Sequence, residues 1–382
     1  MSTQAGTSGS FSLPEGHTLL SGRRLETIDV VYETFGTLDA GGANALLICH
    51  ALSGDSHVAD GIDASGQSRA GWWGDIVGPG RAVDTDRYFV VCANVLGGCS
   101  GTTGPGSLDP ARGEPYALRF PLLTIQDMAD VHAALLDSLG IDRLLAVAGG
   151  SMGGMQALAF AQRYPRRCAS VLAIATTWRL GAQAIAFNEV GRTAILGDPA
   201  FQGGDYYKSG QPGHGLAIAR MIGHITYLSD DSMREKFGRR LREREEHAFE
   251  FVSEFEVESY LAYQGRKFVE RFDANTYLYM TKAMDYFDLS AGFPTLTDAV
   301  AGIEARFLVL SFSSDWLFPT YQSRELVDAL QTAGAEVSFA EIESPYGHDS
   351  FLLEPAEQAR FVAPFLSSVY DDERARPAGD AS

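Results

Sequence analysis

The chain has 382 residues, 45% of them hydrophobic and 21% charged, which is the balance of a globular protein with a sizeable core. Its formal net charge is -19, which weighs against nucleic acid and anionic membranes as partners. No apolar run approaches a membrane span. The four cysteines form no CxxC pair, as expected of reduced, mostly buried thiols in a cytoplasmic protein.

Residues 1–11 are rich in Ser, Thr and Gly without the charged and apolar regions of a signal peptide, and read as a loose tail. Apolar strand candidates follow at Leu46–Cys49, Tyr88–Ala93, Leu144–Ala148 and Val171–Ala175. A helix is expected over Ile125–Leu139, with Thr124 as cap and Asp127 three residues on. Another is expected over Met155–Tyr164, stopped by Pro165. From 178 to 294 the periodicity is helical, with helices expected at Ile218–Ile225, Ser232–His247, Val257–Tyr263 and Tyr277–Phe287. The charged run from Arg239 to Glu246 reads as a solvated helix face. Alternation then resumes with the strand Ala305–Phe312, the helix Ser323–Thr332 and the strand Glu336–Ile342. Residues 369–382 read as a second loose end. The expected architecture is α/β, a mostly parallel sheet with helices on both faces. It divides into a discontinuous catalytic domain, 12–177 and 295–368, and a helical lid at 178–294.

The run Gly149-Gly150-Ser151-Met152-Gly153-Gly154 lies between a strand and a helix. Strand, Gly-x-Ser-x-Gly, helix is the nucleophile-elbow pattern of the α/β-hydrolase fold. A nucleophilic serine needs a base, and the base an orienting acid, in the chain order Ser, Asp, His. Asp315 ends an apolar strand in Ser313-Ser314-Asp315-Trp316, at the sheet edge where sites form. His348 follows the last strand in a loop, whereas His214, His224 and His247 lie in the insertion. The oxyanion donors expected from position are the amides of Met152 and of Leu52 in the loop after the first strand. The glycine-rich stretch 97–106 lacks P-loop and dinucleotide spacings and reads as a loop beside the site. His50, Asp55 and His57 sit beside the oxyanion loop and are not taken as metal ligands; no metal or bound cofactor is expected.

Several longer motifs go further. They are His50–His57 (HALSGDSH), Asn94–Pro105 (NVLGGCSGTTGP), Gly149–Gln156 (GGSMGGMQ), Ile222–Tyr227 (IGHITY), Arg271–Asp288, Ser313–Pro319 (SSDWLFP) and Gly347–Phe351 (GHDSF). Across about residues 12 to 368 the chain closely resembles the homoserine O-acetyltransferase family of the α/β-hydrolase superfamily. The resemblance implies Ser151 as nucleophile, Asp315 as acid and His348 as base. It also implies Arg220 for the amino acid carboxylate, Tyr227 in the same pocket and Asp349 for the ammonium. A zwitterion calls for such a cation and anion on opposite sides. Acetyl-CoA is then the co-substrate, L-homoserine the acceptor, methionine biosynthesis the context, and a homodimer through the lid the assembly. Relatives that use succinyl-CoA carry an arginine between the Trp and Phe after the catalytic Asp. Leu317 stands there, which points to acetyl. The alternatives are succinyl transfer, serine as acceptor, or hydrolysis of small esters on the same triad.

Overall fold

A computed structural model describes residues 6–13, 15–62, 67–242 and 245–375. Its centre is an eight-stranded sheet of β1 (Thr7–Leu13), β2 (Ile28–Phe35), β3 (Ala45–Cys49), β4 (Phe89–Ala93), β5 (Ala146–Gly150), β6 (Ser170–Ile174), β7 (Arg306–Phe312) and β8 (Val337–Ile342). The spatial order is β1-β2-β4-β3-β5-β6-β7-β8. The first two pairings are antiparallel and the remainder parallel. Parallel strands need crossovers; helices supply most of them against one face, and residues 73–83 with the C-terminal helix cover the other, so the central strands read as continuous apolar runs. Every residue of β3 is buried. Its alternate residues serve opposite cores: Ala45, Leu47 and Cys49 face one, Leu46 and Ile48 the other. Helices α1 (Ile125–Ser138) and α2 (Met152–Arg163) close the first core. The capping box on α1 forms as expected: Asp127 N donates to Thr124 Oγ1 at 3.2 Å, and Thr124 N to Asp127 Oδ2 at 2.7 Å.

Between β6 and β7 the chain builds α3 (Ala182–Leu196), α4 (Gly213–Tyr227), α5 (Asp230–Lys236), α6 (Glu256–Val269) and α7 (Ala274–Asp285), followed by the short α8 (Leu296–Val300). This insertion has its own cluster, including Ile195, Leu216, Phe268 and Tyr277. The other flank of α7 joins the main core through Met280 and Met284, so the insertion, which covers the sheet's carboxyl ends, packs directly on the layer beneath it. Helix α9 (Thr320–Thr332) links β7 to β8, and α10 (Ser350–Leu353) and α11 (Pro355–Ala375) follow β8. Among the described residues, no helix is long and apolar enough to cross a membrane. Cys49, Cys92 and Cys168 are buried and Cys99 is exposed, all four as free thiols.

Three expectations are corrected. The loose N-terminal tail holds a strand from Thr7, which pairs with β2 from Thr7↔Thr34 to Leu13↔Ile28. Gly9 permits this, since a Cβ there would lie 2.4 Å from the Tyr32 ring. The C-terminal end stays helical to Ala375, because Val369 is buried and Arg306 pairs with Asp372 at 2.8 Å. Residues 1–5 and 376–382 of those tails lie outside the described residues. The helix expected to reach His247 stops at Lys236, where Gly238 at φ 52° returns its amide to Met233 O. The described residues of the charged run, 239–242 and 245–246, are therefore not on a helix, and Glu243 and Arg244 lie outside the described residues.

Candidate active site

Ser151 sits between β5 and α2 with φ 58° and ψ -125°, a conformation that strains a non-glycine residue. Neighbouring glycines make it possible. A Cβ on Gly153 would lie 2.1 Å from Cys49 O, and one on Gly149 would lie 2.3 Å from the Gly153 backbone. With no side chains there, α2 starts hard against β3 and the turn stays tight. The strained residue is pinned from both sides: Ser151 N donates to Ile174 O at 3.0 Å, and Thr176 Oγ1 donates to Ser151 O at 2.8 Å.

Asp315 follows β7 and His348 follows β8, at adjacent carboxyl ends of the sheet. Asp315 Oδ1 accepts from the amides of Leu317 (3.0 Å) and Phe318 (2.9 Å), which leaves Oδ2 for His348 Nδ1 at 2.8 Å. That bond puts the imidazole proton on Nδ1, so Nε2 is free to accept from the Ser151 hydroxyl at 2.9 Å. Burial opposes the charged imidazole, but the charge and hydrogen bond of Asp315, with Asp349 behind them, outweigh it. The His348 pKa is raised above its ordinary value. Gly347, at φ 66°, lets this loop touch the end of α4: a Cβ there would lie 2.7 Å from Tyr227 O and Ser229 N. The cover is thus in backbone contact with the loop that carries His348.

From α4, Tyr227 places its ring 6.0 Å from that of His348, and the Arg220 guanidinium lies 5.5 Å from the Tyr227 ring centre. Asp349 adjoins the base. Burial raises its pKa, against the opposing charges of His348 and Arg220. Ser151, Leu52, Tyr227, Tyr277, Leu317 and Phe318 line one small cavity. Leu52 rides on a turn closed by Gly54 N to Ala51 O at 3.0 Å. Among the described residues, neither the Leu52 nor the Met152 amide donates a hydrogen bond.

Ser151, Asp315, His348, Tyr227 and Arg220 therefore form one connected group, Leu52 and Leu317 line the adjoining cavity, and the Met152 side chain lies in the core. Sequence reasoning missed what holds the Leu52 turn. His50 Nε2 accepts from Val95 N (3.1 Å), Gln156 Nε2 donates to His50 O (3.0 Å), and Arg271 from the cover donates to Ser53 O (2.9 Å). His57 pairs with Glu33 at 2.8 Å, so the two histidines flanking Asp55 have structural partners. His17, Asp127 and Asp130 also come together. Their carboxylates already accept from Leu20 N, Thr124, Arg163 and Tyr164, which accounts for the cluster without an ion.

A serine on a strand-to-helix elbow, a histidine and a buried aspartate on successive strand ends define a serine-nucleophile enzyme of the α/β-hydrolase class. The chain matches the alpha/beta hydrolase fold family over residues 44–355. It is 53% identical over 360 residues to the homoserine O-acetyltransferase of Methanohalobium evestigatum, covering 94% of this chain and 73% of that one. It is 53% identical to the homoserine O-acetyltransferase of Solidesulfovibrio magneticus, covering 93% and 90%. The crystal structure of homoserine O-acetyltransferase from Bacillus anthracis superposes with a TM-score of 0.88 at 30% identity, covering 95% and 98%. That of esterase E22 superposes at 0.86 and 29%, covering 94% and 100%. The chain belongs to the homoserine O-acetyltransferase family.

Proposed function

We propose that the protein transfers acetyl from acetyl-CoA to the hydroxyl of L-homoserine through an acetyl-serine enzyme. His348 Nε2 takes the proton of Ser151, whose Oγ attacks the thioester carbon. The oxyanion rests on the Leu52 and Met152 amides, each worth about 3 kcal/mol of transition-state stabilisation. The carbon–sulfur bond breaks, and His348 gives its proton to the departing thiolate. Homoserine then binds with its carboxylate toward Arg220 and its ammonium toward Asp349. His348 takes the hydroxyl proton, the alkoxide attacks the acetyl carbon, and the Ser151 oxygen leaves with the proton from His348. O-Acetylhomoserine results.

The observation that carries this reading is the Ser151–His348–Asp315 chain, closed at 2.9 and 2.8 Å beneath the helix that holds Arg220. The apolar wall at Leu317 supports acetyl, because a buried succinyl carboxylate would need a cation there. Pairing of two copies through the insertion is part of the same proposal. Val190 and Leu196 on α3 are about half exposed, apolar surface that a second copy would cover. The likeness to esterase E22 favours one second reading, hydrolysis of a small ester on the same triad. Thiol release from acetyl-CoA and succinyl-CoA, with and without L-homoserine or L-serine, separates these. Homoserine-dependent release from acetyl-CoA is expected, with O-acetylhomoserine identified by mass. Release independent of an acceptor identifies a hydrolase.

A further inference from the structure

His224 lies one turn beyond Arg220 on α4, so the two side chains share a face of the helix. It is 6% exposed, and its Nε2 is buried without a hydrogen-bond partner. Its ring is 6.0 Å from that of Tyr227, the residue that also meets His348 and Arg220. Nδ1 lies 3.1 Å from the Tyr260 hydroxyl. Burial, together with the charges of Arg220, Lys236 and Arg271, drives the His224 pKa down to about 3, so the ring is neutral. Burial also raises the pKa of Tyr260, which keeps its proton. The bond that uses this proton runs from Tyr260 O–H to His224 Nδ1, which places the imidazole hydrogen on Nε2. That leaves a buried N–H with nothing to donate to, a costly state that calls for a partner. Three cations in its surroundings make an anion the fitting one.

Resting on the acyltransferase reading above, we infer that His224 is a second ligand of the acceptor's carboxylate, its Nε2–H donating to the group that Arg220 pairs with. The amino acid head is then read by a cation and a neutral donor from one helix face, and by Asp349 from the other side. An alcohol without a carboxylate would leave both α4 groups unpaired, and a site built to bond a polar group rejects ligands that lack it.

The test begins with wild-type protein and L-homoserine. His224→Leu is expected to raise KM for homoserine about 10-fold to 100-fold, with a much smaller change in KM for acetyl-CoA. His224→Gln, which keeps a side-chain N–H, is expected to recover part of the loss. In Ser151→Ala protein labelled with 15N-histidine, L-homoserine should shift the His224 Nε2 resonance, and homoserine lactone, which has no carboxylate, should not. This binding arm decides the matter if His224→Leu fails to fold. A homoserine KM within twofold of wild type in a folded His224→Leu protein overturns the inference alone. So does an Nε2 resonance indifferent to homoserine. Wild-type thiol release that ignores homoserine overturns the functional reading, and this inference with it.

Discussion

At His348, burial and a carboxylate pull in opposite directions, and the carboxylate prevails. A general base works only when neutral, so kcat/KM should rise with pH through the raised pKa, with its acid limb above the ordinary 6.5 of imidazole. Asp315→Asn removes the cause. The limb should move to lower pH and kcat fall about 10⁴-fold, the size of effect expected when the orienting acid is lost. A limb below pH 6 in wild-type protein would contradict the geometry at Asp315. Leu317 makes a second residue-scale prediction. Leu317→Arg places a cation on the cavity wall, and the ratio of succinyl-CoA to acetyl-CoA turnover should rise at least tenfold in a competition assay. Ser151, Asp315 and His348 were legible because each lies where a strand ends, a position that hydrophobic patterning reveals. The role inferred for His224 was not. The sequence shows only a histidine in a helical stretch, and an unpartnered nitrogen exists only once its neighbours are in place.

Among the elements, the junction of β5 and α2 is the least forgiving. A Cβ on Gly153 would meet Cys49 O at 2.1 Å, and a main-chain atom of a central strand has nowhere to go. Gly153→Ala should cost at least about 2 kcal/mol of stability, seen as a lower urea midpoint, and should move Ser151 enough to abolish thiol release. The central strands and α1 were readable because apolar runs and a capping box are local signals. Helix α5 was read too long because the charged residues beyond it keep a helical look, while Gly238 supplies a left-handed stop. Strand β1 was missed because its Ser and Gly residues carry no pattern of their own; it borrows order from β2. Helix α3 has apolar residues on several sides, buried partly against α4 and partly against α7, so no single stripe marks it.

The molecule as a whole brings together a serine and a histidine 197 positions apart, by laying β5, β6, β7 and β8 side by side. The same packing traps His132 of α1 in the core, where its Nε2 meets Gln156 Oε1 at 3.0 Å. Burial lowers its pKa to about 4. The folded state therefore holds it neutral while the unfolded chain takes a proton near pH 6.5. Its contribution to stability is full above pH 6.5 and is lost as pH falls toward 4, up to about 3 kcal/mol. Denaturant unfolding from pH 7 to 4 should show this loss, and His132→Gln should flatten it. An identical slope in the variant would rule His132 out as the source.

By itself the sequence determined the α/β alternation, the elbow, the kinship and the choice of Ser151, Asp315 and His348, which the fold links by hydrogen bonds. These rest on local patterns and on long motifs that keep their meaning unfolded. Only the tertiary structure decided which side chains support the Leu52 turn, how α4 comes to rest on the loop of His348, and which buried nitrogen is left unpaired. Those are properties of contacts between distant segments. Burial, and with it a pKa or an unsatisfied donor, has no value until the segments meet.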